Sequence, residues 1–557
     1  MHQYRSNKKT GIMMTLFLCA CLACPALAAA APNAGEISNT LKDSQVKPAE
    51  KKSGGINVES LPEMQPDLSG PKIKVNRIRI SGQTIYSEAQ LEGITSSVVG
   101  QEVTFGELEQ AAGKIAKYFR DNGYLLANAF VTAQEIKDGQ VTIQVVVGQY
   151  GDVTVRNTSR LSDHYIKAIV KPLKNGDAIH IDSLERVLLI LNEVSGITLK
   201  STLAPGKEPG TSDLIMEISD APVVSGQLYG DNWGNRFTGE IRGGLNININ
   251  NLSRQGDVLT VGGLYGGSGL RDLNFDYALP VGSEGGKIGV TYSNVNYLLG
   301  EEYAVLGASG QAKARGIYAT YPLHRSRNAN LYLRIGFERK ELQDLVGSSA
   351  TDSQKKVDAW NVGLKGDWRD AAGDGSTAFG LALTQGRLNM LSADARNNDD
   401  LKTAGSYSKA IISLLRQKYI NERLSYNFSF TGQLASKNLD SVEKLFLGGA
   451  TGVRAYPQGE AGGDSGYLVT GELRWNMPTP NFQLAAFIDS GQVTLNKAPL
   501  NNDANTRALT GGGLGVVFSR NNDYSIRADY AWKISSDKAV SDHDKNGRFW
   551  LRAIKYF

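Results

Sequence analysis

Cysteine is scarce in this 557-residue chain: its only three, Cys19, Cys21 and Cys24, stand among the first 28 residues. If that segment is removed, no thiol remains, which excludes disulfides and thiolate chemistry. Histidine is scarce as well, and no two histidines stand at the spacing of metal ligands. We therefore expect no metal, no cofactor and no catalytic residue, so the chain is not expected to be an enzyme. The five histidines are His2, His164, His180, His324 and His543.

Long apolar runs are also missing, apart from one at residues 12–24. Basic residues precede this run and small residues at 26–28 follow it, which is typical of a secretory signal peptide, and we assign residues 1–28 to that signal. An uncleaved anchor or a lipoprotein fits less well, because the run is short and closes on Pro25. Cleavage removes three basic residues and no acidic one, so the net charge falls from +4 to +1, which gives no indication of nucleic-acid binding.

No nucleotide site is indicated either. The run Gly511–Gly515 is the strongest glycine-rich candidate, but it lies inside a strand pattern and no helix start follows it to hold a phosphate. We interpret this run as a bend or a close approach within a strand. Nucleotide-driven work by the chain is therefore not expected.

Residues 29–70 are rich in Ala, Pro, Lys, Ser and Gly and too polar to form a core, which predicts a linker. Ile37 and Leu41 stand four residues apart near its start, a spacing that favours one short amphipathic helix. Disorder of this segment is the alternative. We therefore describe residues 29–70 as a possible helix followed by a linker.

Two α+β modules are predicted next, at residues 71–148 and 149–221. Each has the order βααββ, which makes an internal repeat. Thr104 and Glu107 form a capping box at the start of the second helix of the first module. The pair Asp182 and Glu185 is predicted to do the same in the second module.

Residues 222–557 contain no convincing helix, and weakly amphipathic segments separated by Gly, Asn and Asp turns are typical of a transmembrane β-barrel. The even number of strands supports a closed antiparallel barrel, because only helices and closed barrels satisfy every backbone group in lipid. Aromatic residues near strand ends, such as Trp475, Trp550 and Tyr556, are expected at the lipid interfaces. The sixteen candidate strands are 226–233, 238–249, 257–266, 271–279, 286–297, 308–321, 329–341, 357–369, 376–389, 407–420, 423–435, 465–477, 481–494, 508–518, 524–533 and 548–557.

The segment 436–465 is too rich in glycine for a regular element, yet it carries one permanently charged residue, Arg454. On the two strands that follow, the alternation places Glu472, Arg474 and Asp489 on one shared face. A charged face on a barrel strand indicates the lumen. We expect the loop to be ordered rather than mobile.

These residues resemble a known family. The sequence Leu447-Gly-Gly-Ala-Thr-Gly-Val-Arg-Ala-Tyr-Pro457, followed by Phe487-Ile-Asp-Ser-Gly491, is similar to the signature of the outer-membrane transporters of two-partner secretion, the TpsB family, which belongs with BamA to one superfamily. Ala455 stands where that signature has glycine. The resemblance implies that loop 436–465 folds into the lumen, and the implied signature residues are Val453, Arg454, Ala455, Tyr456, Pro457, Phe487, Asp489 and Gly491.

The same resemblance implies that Arg454 pairs with Asp489, that the two modules are POTRA domains in the periplasm, and that the helix within 29–70 plugs the barrel. The implied partners are a large secreted TpsA-like exoprotein, of the adhesin or haemolysin kind, and outer-membrane lipid including lipopolysaccharide. We expect the Arg454 pair to be partly hydrated and to contribute about 1–3 kcal/mol, as a releasable latch. The modules are expected to capture the exoprotein by β-augmentation, and its folding outside the cell would drive export.

Two other functions remain open at this point. The first is a BamA-like insertase of outer-membrane barrels, for which two modules are few. The second is a passive pore or an adhesion barrel, which gives no reason for the repeated modules. We place the protein in the outer membrane of a Gram-negative bacterium in each case.

Overall fold

The computed structural model describes residues 31–43, 57–58, 69–267 and 269–557. The predicted signal peptide, 1–28, lies outside the described residues, as does most of the linker. A helix is present near the start of that linker, α1 (Ala34–Asp43), and a two-residue strand, β1 (Asn57–Val58), follows it. None of the helices within these ranges combines the length and apolar character that crossing a membrane requires.

The first module has a three-stranded sheet, with order β3-β6-β5, packed against two helices. The capping box at its second helix is confirmed: Thr104 N donates to Glu107 Oε2 at 2.7 Å, and Glu107 N donates to Thr104 Oγ1 at 3.3 Å. The elements are β2 (Ile73–Lys74), β3 (Arg77–Ser81), α2 (Glu88–Thr95), β4 (Glu102–Val103), α3 (Phe105–Asp121), β5 (Asn128–Val131) and β6 (Gln140–Val146).

The second module repeats this order of helices and strands. The strand order of its sheet is β1-β8-β9-β7, so the linker strand β1 lies at one edge. Here β1 lies parallel to β8, with Asn57 beside Thr202 and Val58 beside Leu203. The elements are β7 (Gln149–Asn157), α4 (Asp163–Val170), α5 (Ile181–Asn192), β8 (Ile197–Pro205) and β9 (Thr211–Asp220).

The capping box predicted at Asp182 and Glu185 is wrong. Helix α5 begins at Ile181, and His180 is its N-cap, accepting a bond from Asp182 N through Nδ1 at 3.3 Å. The helix starts earlier because Ile181 N donates to Gly123 O of the first module at 2.8 Å. Contact between the modules thus replaces the local capping signal.

Sixteen antiparallel strands close into a barrel, and all sixteen predicted segments are strands in it. Closure pairs β10 with β27 over five residues, from Gln227 beside Tyr556 to Asp231 beside Arg552. The strands are β10 (Val224–Asp231), β11 (Arg242–Asn250), β12 (Val258–Gly266), β13 (Leu270–Val281), β14 (Gly286–Leu298), β15 (Ala308–Arg325), β16 (Ala329–Val346), β17 (Thr351–Arg369), β18 (Gly375–Met390), β19 (Gly405–Tyr419), β20 (Leu424–Ala435), β23 (Ser465–Asn476), β24 (Phe482–Thr494), β25 (Thr506–Arg520), β26 (Tyr524–Lys533) and β27 (Gly547–Tyr556).

Apolar side chains on alternate positions face outward around the barrel, as a lipid-facing band requires. Examples from separate strands are Leu228, Leu273, Val290, Ile317, Trp360, Leu383, Ile412, Leu473, Ile488, Leu514, Ile526 and Leu551, all exposed. The expectation of no helix after 222 is wrong in detail. A short helix, α6 (Ala393–Asn397), and three 3₁₀ turns lie in connections, where Ser392 caps α6 by accepting a bond from Ala395 N at 3.1 Å. One helical turn is too short to produce a periodic signal.

The second module is fixed to one end of the barrel, here called the module end, where β10 begins. Its helix α5 reaches the turns of that end. Glu193, just after α5, forms an ion pair with Arg325 and accepts a bond from Tyr332 Oη at 3.2 Å. Glu185 pairs with Arg327 at 3.0 Å. The opposite end of the barrel, here called the far end, carries the longer connections, including loop 436–465.

Candidate functional site

The connection between β20 and β23 enters the barrel lumen. A short hairpin, β21 (Leu445–Phe446) and β22 (Gly462–Gly463), carries the chain inward, and Val453 N then donates to Leu447 O at 2.7 Å to close the turn. Gly459 has a φ of +81° on the return path, a conformation that suits glycine. The tip, Val453–Pro457, is buried. The loop therefore fills space that an open channel would leave to solvent.

Arg454, at the tip of this loop, is held by two carboxylates of the barrel wall. Its Nε and Nη2 donate to Asp489 Oδ2 and Oδ1, each at 2.9 Å, in the bidentate geometry that suits a guanidinium. Its Nη1 donates to Glu472 Oε2 at 3.1 Å. The backbone N–H of Arg454 also donates to Asp489 at 3.2 Å. These bonds fix both the side chain and the backbone at the tip.

The wall around Arg454 is a balanced cluster of three guanidinium groups and three carboxylates. Arg527 Nη2 binds Glu472 Oε2 at 2.6 Å, and its Nε binds Asp529 Oδ2 at 2.8 Å. Arg474 Nε binds Glu472 Oε1 at 2.5 Å. Together with Arg454 and Asp489, these side chains carry three positive and three negative charges, so the net charge of the cluster is zero. Elsewhere in the described part of the chain, as here, no His, Cys, Asp or Glu group is arranged to hold a metal ion.

Aromatic side chains cover the faces of this cluster. The guanidinium carbon of Arg454 lies 3.2 Å from the ring centroid of Phe487, a cation–π contact. The indole N–H of Trp550 donates to Arg454 O at 2.7 Å. Trp550 is only 5% exposed, so its predicted position at the lipid interface is wrong. The alternation along β27 turns Phe549 and Leu551 outward and Trp550 into the lumen.

The glycines of β25 form the floor on which the tip rests. A Cβ on Gly511 would stand 2.5 Å from Ala455 Cβ, and one on Gly513 would stand 2.4 Å from the Phe487 ring. A Cβ on Gly515 would collide with Asp529. The interpretation of this run as a close approach is confirmed. Since β25 offers no side chain here, residues of β24 and β26 and the loop tip meet across it.

The other signature residues make different contacts between the loop and the barrel. Tyr456 Oη lies 2.8 Å from both Ser535 Oγ and Asp537 O, in the connection after β26. Pro457 lines a cavity of about 210 Å³ near Arg236 at the far end. Gly491 faces Leu447, whose Cδ2 is 2.8 Å from the Cβ that Gly491 lacks. Val453 is fully buried against the same surface.

The expectation of a partly hydrated pair is corrected by its burial. The side chains of Arg454 and Asp489 are 6% and 0% exposed. Breaking a buried ion pair by removing one partner typically costs about 3–5 kcal/mol, because the remaining charge stays desolvated. The pair is therefore a strong local constraint on the loop.

A second anchor, which the sequence did not reveal, holds the start of the loop to another part of the barrel wall, strands β16 and β19. Glu443 lies between Lys340 of β16 and Lys409 of β19, and its Oε2 is 2.8 Å from Lys409 Nζ. Burial opposes the ionisation of Glu443, but the two ammonium groups outweigh it and hold its pKa well below the usual range. Beside it, Asp440 pairs with Lys355 at 2.8 Å. These pairs join strands that are distant in sequence.

A third anchor holds the return path of the loop. The carboxylate of Glu460 accepts bonds from Val540 N at 3.0 Å and Ser541 N at 2.8 Å, and Arg507 Nη2 donates to it at 3.0 Å. Glu460 is fully buried. The loop is thereby tied to the connection between β26 and β27 as well as to the wall.

Helix α1 lies in the same lumen, against the start of the loop. Asn39 Nδ2 donates to Lys444 O at 2.7 Å, and Ser441 Oγ donates to Asn33 Oδ1 at 2.5 Å. Its apolar residues Ile37 and Leu41 are buried in a cluster lined by the barrel. Burial and the nearby carboxylate of Glu460 raise the pKa of Glu36, on the same helix, to about 8.

A family model described as haemolysin secretion/activation protein ShlB/FhaC/HecB matches residues 210–518, and a model of the ShlB-type POTRA domain matches 73–148. The first match spans more than half of the chain, and the protein therefore belongs to the ShlB/FhaC/HecB family, the TpsB transporters. It is an outer-membrane pore that secretes a partner exoprotein. The module end of the barrel is periplasmic, and the far end is extracellular.

Relatives span most of the chain. The heme/hemopexin transporter protein HuxB of Haemophilus influenzae (strain 86-028NP) is 27% identical over 94% of this chain and 95% of its own. The outer membrane transporter CdiB of Escherichia coli O6:K15:H31 is 22% identical over 77% of this chain and 73% of its own. Both are similar to this protein in length as well as in sequence.

Solved structures show the shared fold. CdiB from Escherichia coli matches with a TM-score of 0.71 at 20% identity, covering 90% of this chain and 93% of its own. BamA from Haemophilus ducreyi, lacking its POTRA domains 1–3, matches with a TM-score of 0.50 at 13% identity, covering 87% of this chain and 100% of its own. The likeness to BamA is thus distant and lies in the fold alone, so the insertase alternative gains no support from it.

Proposed function

We propose that loop 436–465 and helix α1 close the resting pore together, and that export of a large adhesin-like or haemolysin-like exoprotein requires their displacement. The observation that carries this proposal is the placement of both segments in the lumen. Arg454 is held by Asp489 and Glu472 on β24 and β23, and Glu443 is bound to Lys340 and Lys409 on β16 and β19. An extended chain passing through the lumen would compete with them for the same space.

The role of the pair Arg454 and Asp489 in this proposal is to fix the resting position of the loop. The bonds to the buried guanidinium of Arg454 are lost together when the tip moves. The loop is therefore either docked or released, and it does not move through a continuous range of positions. A ligand shifts such an equilibrium only if it binds one position better than the other. The exoprotein does so if it occupies the lumen only when the loop and α1 have moved.

The POTRA modules are proposed to capture the exoprotein in the periplasm by β-augmentation. Among the described strands, β5 pairs with β6 alone, and Phe130 on it is exposed, while Val131 N of the same strand donates to Glu109 Oε1 at 2.9 Å. An edge strand binds an extended chain mainly through main-chain bonds, which demand little of its sequence. Export then needs no nucleotide and no catalytic step from this chain, since folding of the exoprotein outside prevents its return.

Contacts with lipid complete the proposal. The outward apolar band of the barrel faces the membrane, and we assign lipopolysaccharide to the extracellular half of that surface because this lipid forms the outer leaflet. Nucleic acid has no part in the proposed function. The small net charge predicted for the processed chain gives no indication of nucleic-acid binding.

A disulfide lock tests the proposal. The chain has no cysteine after residue 24, so the pair Asn33→Cys and Ser441→Cys places two thiols where the side chains already touch. Oxidation ties α1 to the anchored base of the loop. We expect export of the co-expressed exoprotein to stop in the oxidised double variant and to recover on reduction, whereas each single variant exports normally. Full export by the oxidised double variant would overturn the proposal.

A further inference from the structure

Two carboxylates at the start of the loop lie against three lysines of the barrel wall. Glu443 shares its carboxylate between Lys340 Nζ at 2.5 Å and Lys409 Nζ at 2.8 Å. Asp440 Oδ2 lies 2.8 Å from Lys355 Nζ. The lysine side chains reach into the lumen from β16, β19 and β17 and are at most 21% exposed. The three residues Lys340, Lys355 and Lys409 are here called the lysine wall.

Aliphatic side chains lie among these charges. Leu342 and Val357, on β16 and β17, pair in register with two of the lysines. They are buried in one cluster with Ile37 of α1 and Val442 of the loop. The resting occupants of this surface therefore combine carboxylates with aliphatic side chains. A single loop segment, residues 439–443 with the sequence Leu-Asp-Ser-Val-Glu, supplies both.

Displacement of the loop takes two carboxylates away from the lysine wall, so the charge of this surface rises by two. Two carboxylates of β16, Glu338 and Asp344, stay behind, and Glu338 lies 3.4 Å from Lys340. The opened surface therefore has three ammonium groups for two carboxylates. A cationic surface inside a channel with low-dielectric walls attracts negative charge more strongly than the same groups do on an open protein surface. It favours a passing chain that carries acidic side chains.

We propose that, in the open pore, the lysine wall binds acidic side chains of the exoprotein as it passes, and that Asp440 and Glu443 occupy this site in the resting pore. This inference rests on the proposed function and adds a chemical preference to it, for extended segments in which Asp or Glu stands beside aliphatic residues. Such contacts have to release as well as bind, because transport through a channel requires several weak sites rather than one tight site. Lysine meets this requirement, since its ammonium group is a point charge on a flexible stem.

The contacts at the tip of the loop have the opposite arrangement. There the loop supplies the cation, Arg454, and the wall supplies the carboxylates, in a bidentate geometry that fixes one position. At the lysine wall the loop supplies the carboxylates, and a passing chain can replace them with its own Asp and Glu side chains. The tip contact therefore holds the resting loop in place, whereas the lysine wall is suited to exchange one carboxylate for another.

Two matched double variants separate this role from anchoring of the loop. The wall variant is Lys340→Gln with Lys355→Gln, and the loop variant is Asp440→Asn with Glu443→Gln. Both break the same two ion pairs, but only the wall variant removes lysines. The probes are three forms of the co-expressed exoprotein that carry an insert at one fixed position. The acidic insert is two copies of Leu-Asp-Ser-Val-Glu, the neutral insert is two copies of Leu-Asn-Ser-Val-Gln, and the basic insert is two copies of Leu-Lys-Ser-Val-Lys.

The rate of secretion of each form is the measurement. We expect the original transporter to secrete the acidic form about fivefold faster than the basic form, with the neutral form between them, because like charges in a confined lumen repel. The loop variant is expected to keep this ratio, since its lysines are unchanged. In the wall variant the ratio is expected to fall below about twofold.

Equal loss of the ratio in both variants would mean that the lysines only anchor the loop, and an unchanged ratio in the wall variant would also overturn the inference. If the wall variant does not assemble, Lys355→Gln against Asp440→Asn makes the same comparison at the more exposed pair. If the original transporter secretes all three forms equally, only the inference fails. If it secretes no exoprotein in any form, the proposed function fails and the inference fails with it.

Discussion

Arg454 and Asp489 share two parallel hydrogen bonds of 2.9 Å inside the barrel, although 35 residues separate them in the chain. One residue belongs to the tip of the loop and the other to the wall strand β24. Because both side chains are buried, neither can lose its partner without leaving a desolvated charge behind. The loop therefore keeps its place in the lumen until something replaces these bonds.

Removing the guanidinium tests this constraint directly. We expect Arg454→Ala to release the loop tip, to raise the resting conductance of the pore in planar bilayers, and to weaken local stability by about 3–5 kcal/mol, measured as faster hydrogen exchange at 453–457. Arg474→Ala is the matched control, since Arg474 joins the same cluster from a more exposed position. An equal effect of both variants would show that the bonds to Asp489 have no special role.

The glycine floor makes a steric prediction. We expect Gly511→Val to displace the tip, because even its Cβ would stand 2.5 Å from Ala455 Cβ, and to increase proteolysis within the loop. Gly243→Ala is the control in another barrel strand, where no atom lies within 4 Å of the added Cβ. A Gly511→Val protein whose loop is as protected as that of the original would contradict the contact.

The two wall anchors are expected to act on one loop at different points, Glu443 at its start and Arg454 at its tip. Glu443→Gln leaves Lys340 and Lys409 as buried cations without their shared carboxylate, so the start of the loop is expected to loosen. Single-channel recording of Glu443→Gln, Arg454→Ala and the double variant measures their coupling. We expect more open time in the double variant than in either single one; no further increase would mean that one anchor alone holds the loop.

Protonation of Glu36 predicts a pH dependence. The pKa is raised to about 8 in the docked helix and is near 4.5 when the helix is free, so the docked state holds the proton more tightly. Docking is strongest at low pH and weakens as the pH rises from about 4.5 to about 8. Glu460, Tyr297 and Tyr303 face this carboxyl from the loop, β14 and a nearby turn. Arg242 of β11 lines the same cavity, but its guanidinium is paired with Asp231 at 2.8 Å.

We therefore expect the resting conductance to increase between pH 5 and pH 8 and to stay nearly constant over this range in Glu36→Gln. Glu102→Gln, on an exposed residue of the first module, is the control and should keep the pH dependence. An unchanged profile in Glu36→Gln would assign the effect to another group.

Much of the architecture was predictable from the chain itself. Alternation along the strands gave sixteen correct segments, and the same parity placed Glu472 and Asp489 on one face, because side chains on a strand alternate regardless of what it pairs with. The pairing of Arg454 with Asp489 followed from the resemblance of the loop to a family signature. The observed geometry of the pair agrees with that prediction, and the variants described above test the role of the pair in export.

The two wrong placements have different causes. Trp550 was placed at the lipid interface because it stands near a strand end, whereas the alternation along β27 turns it inward, where its indole N–H donates to Arg454 O. His180, rather than Asp182, caps helix α5, because the backbone N–H of Ile181 between them donates to Gly123 O of the first module. In the second case a contact from another element outweighed a local preference.

The sequence by itself determined the repeated modules, the strand count and the face on which each wall residue lies, since these depend on local periodicity. Only the tertiary structure decided which distant residues meet. The arrangement of β23 to β26 in the wall brings Arg527 beside Glu472, the fold of the loop brings Glu443 between Lys340 and Lys409, and the linker returns to β8. Such contacts depend on register and chain path over hundreds of residues, and no local pattern contains that information.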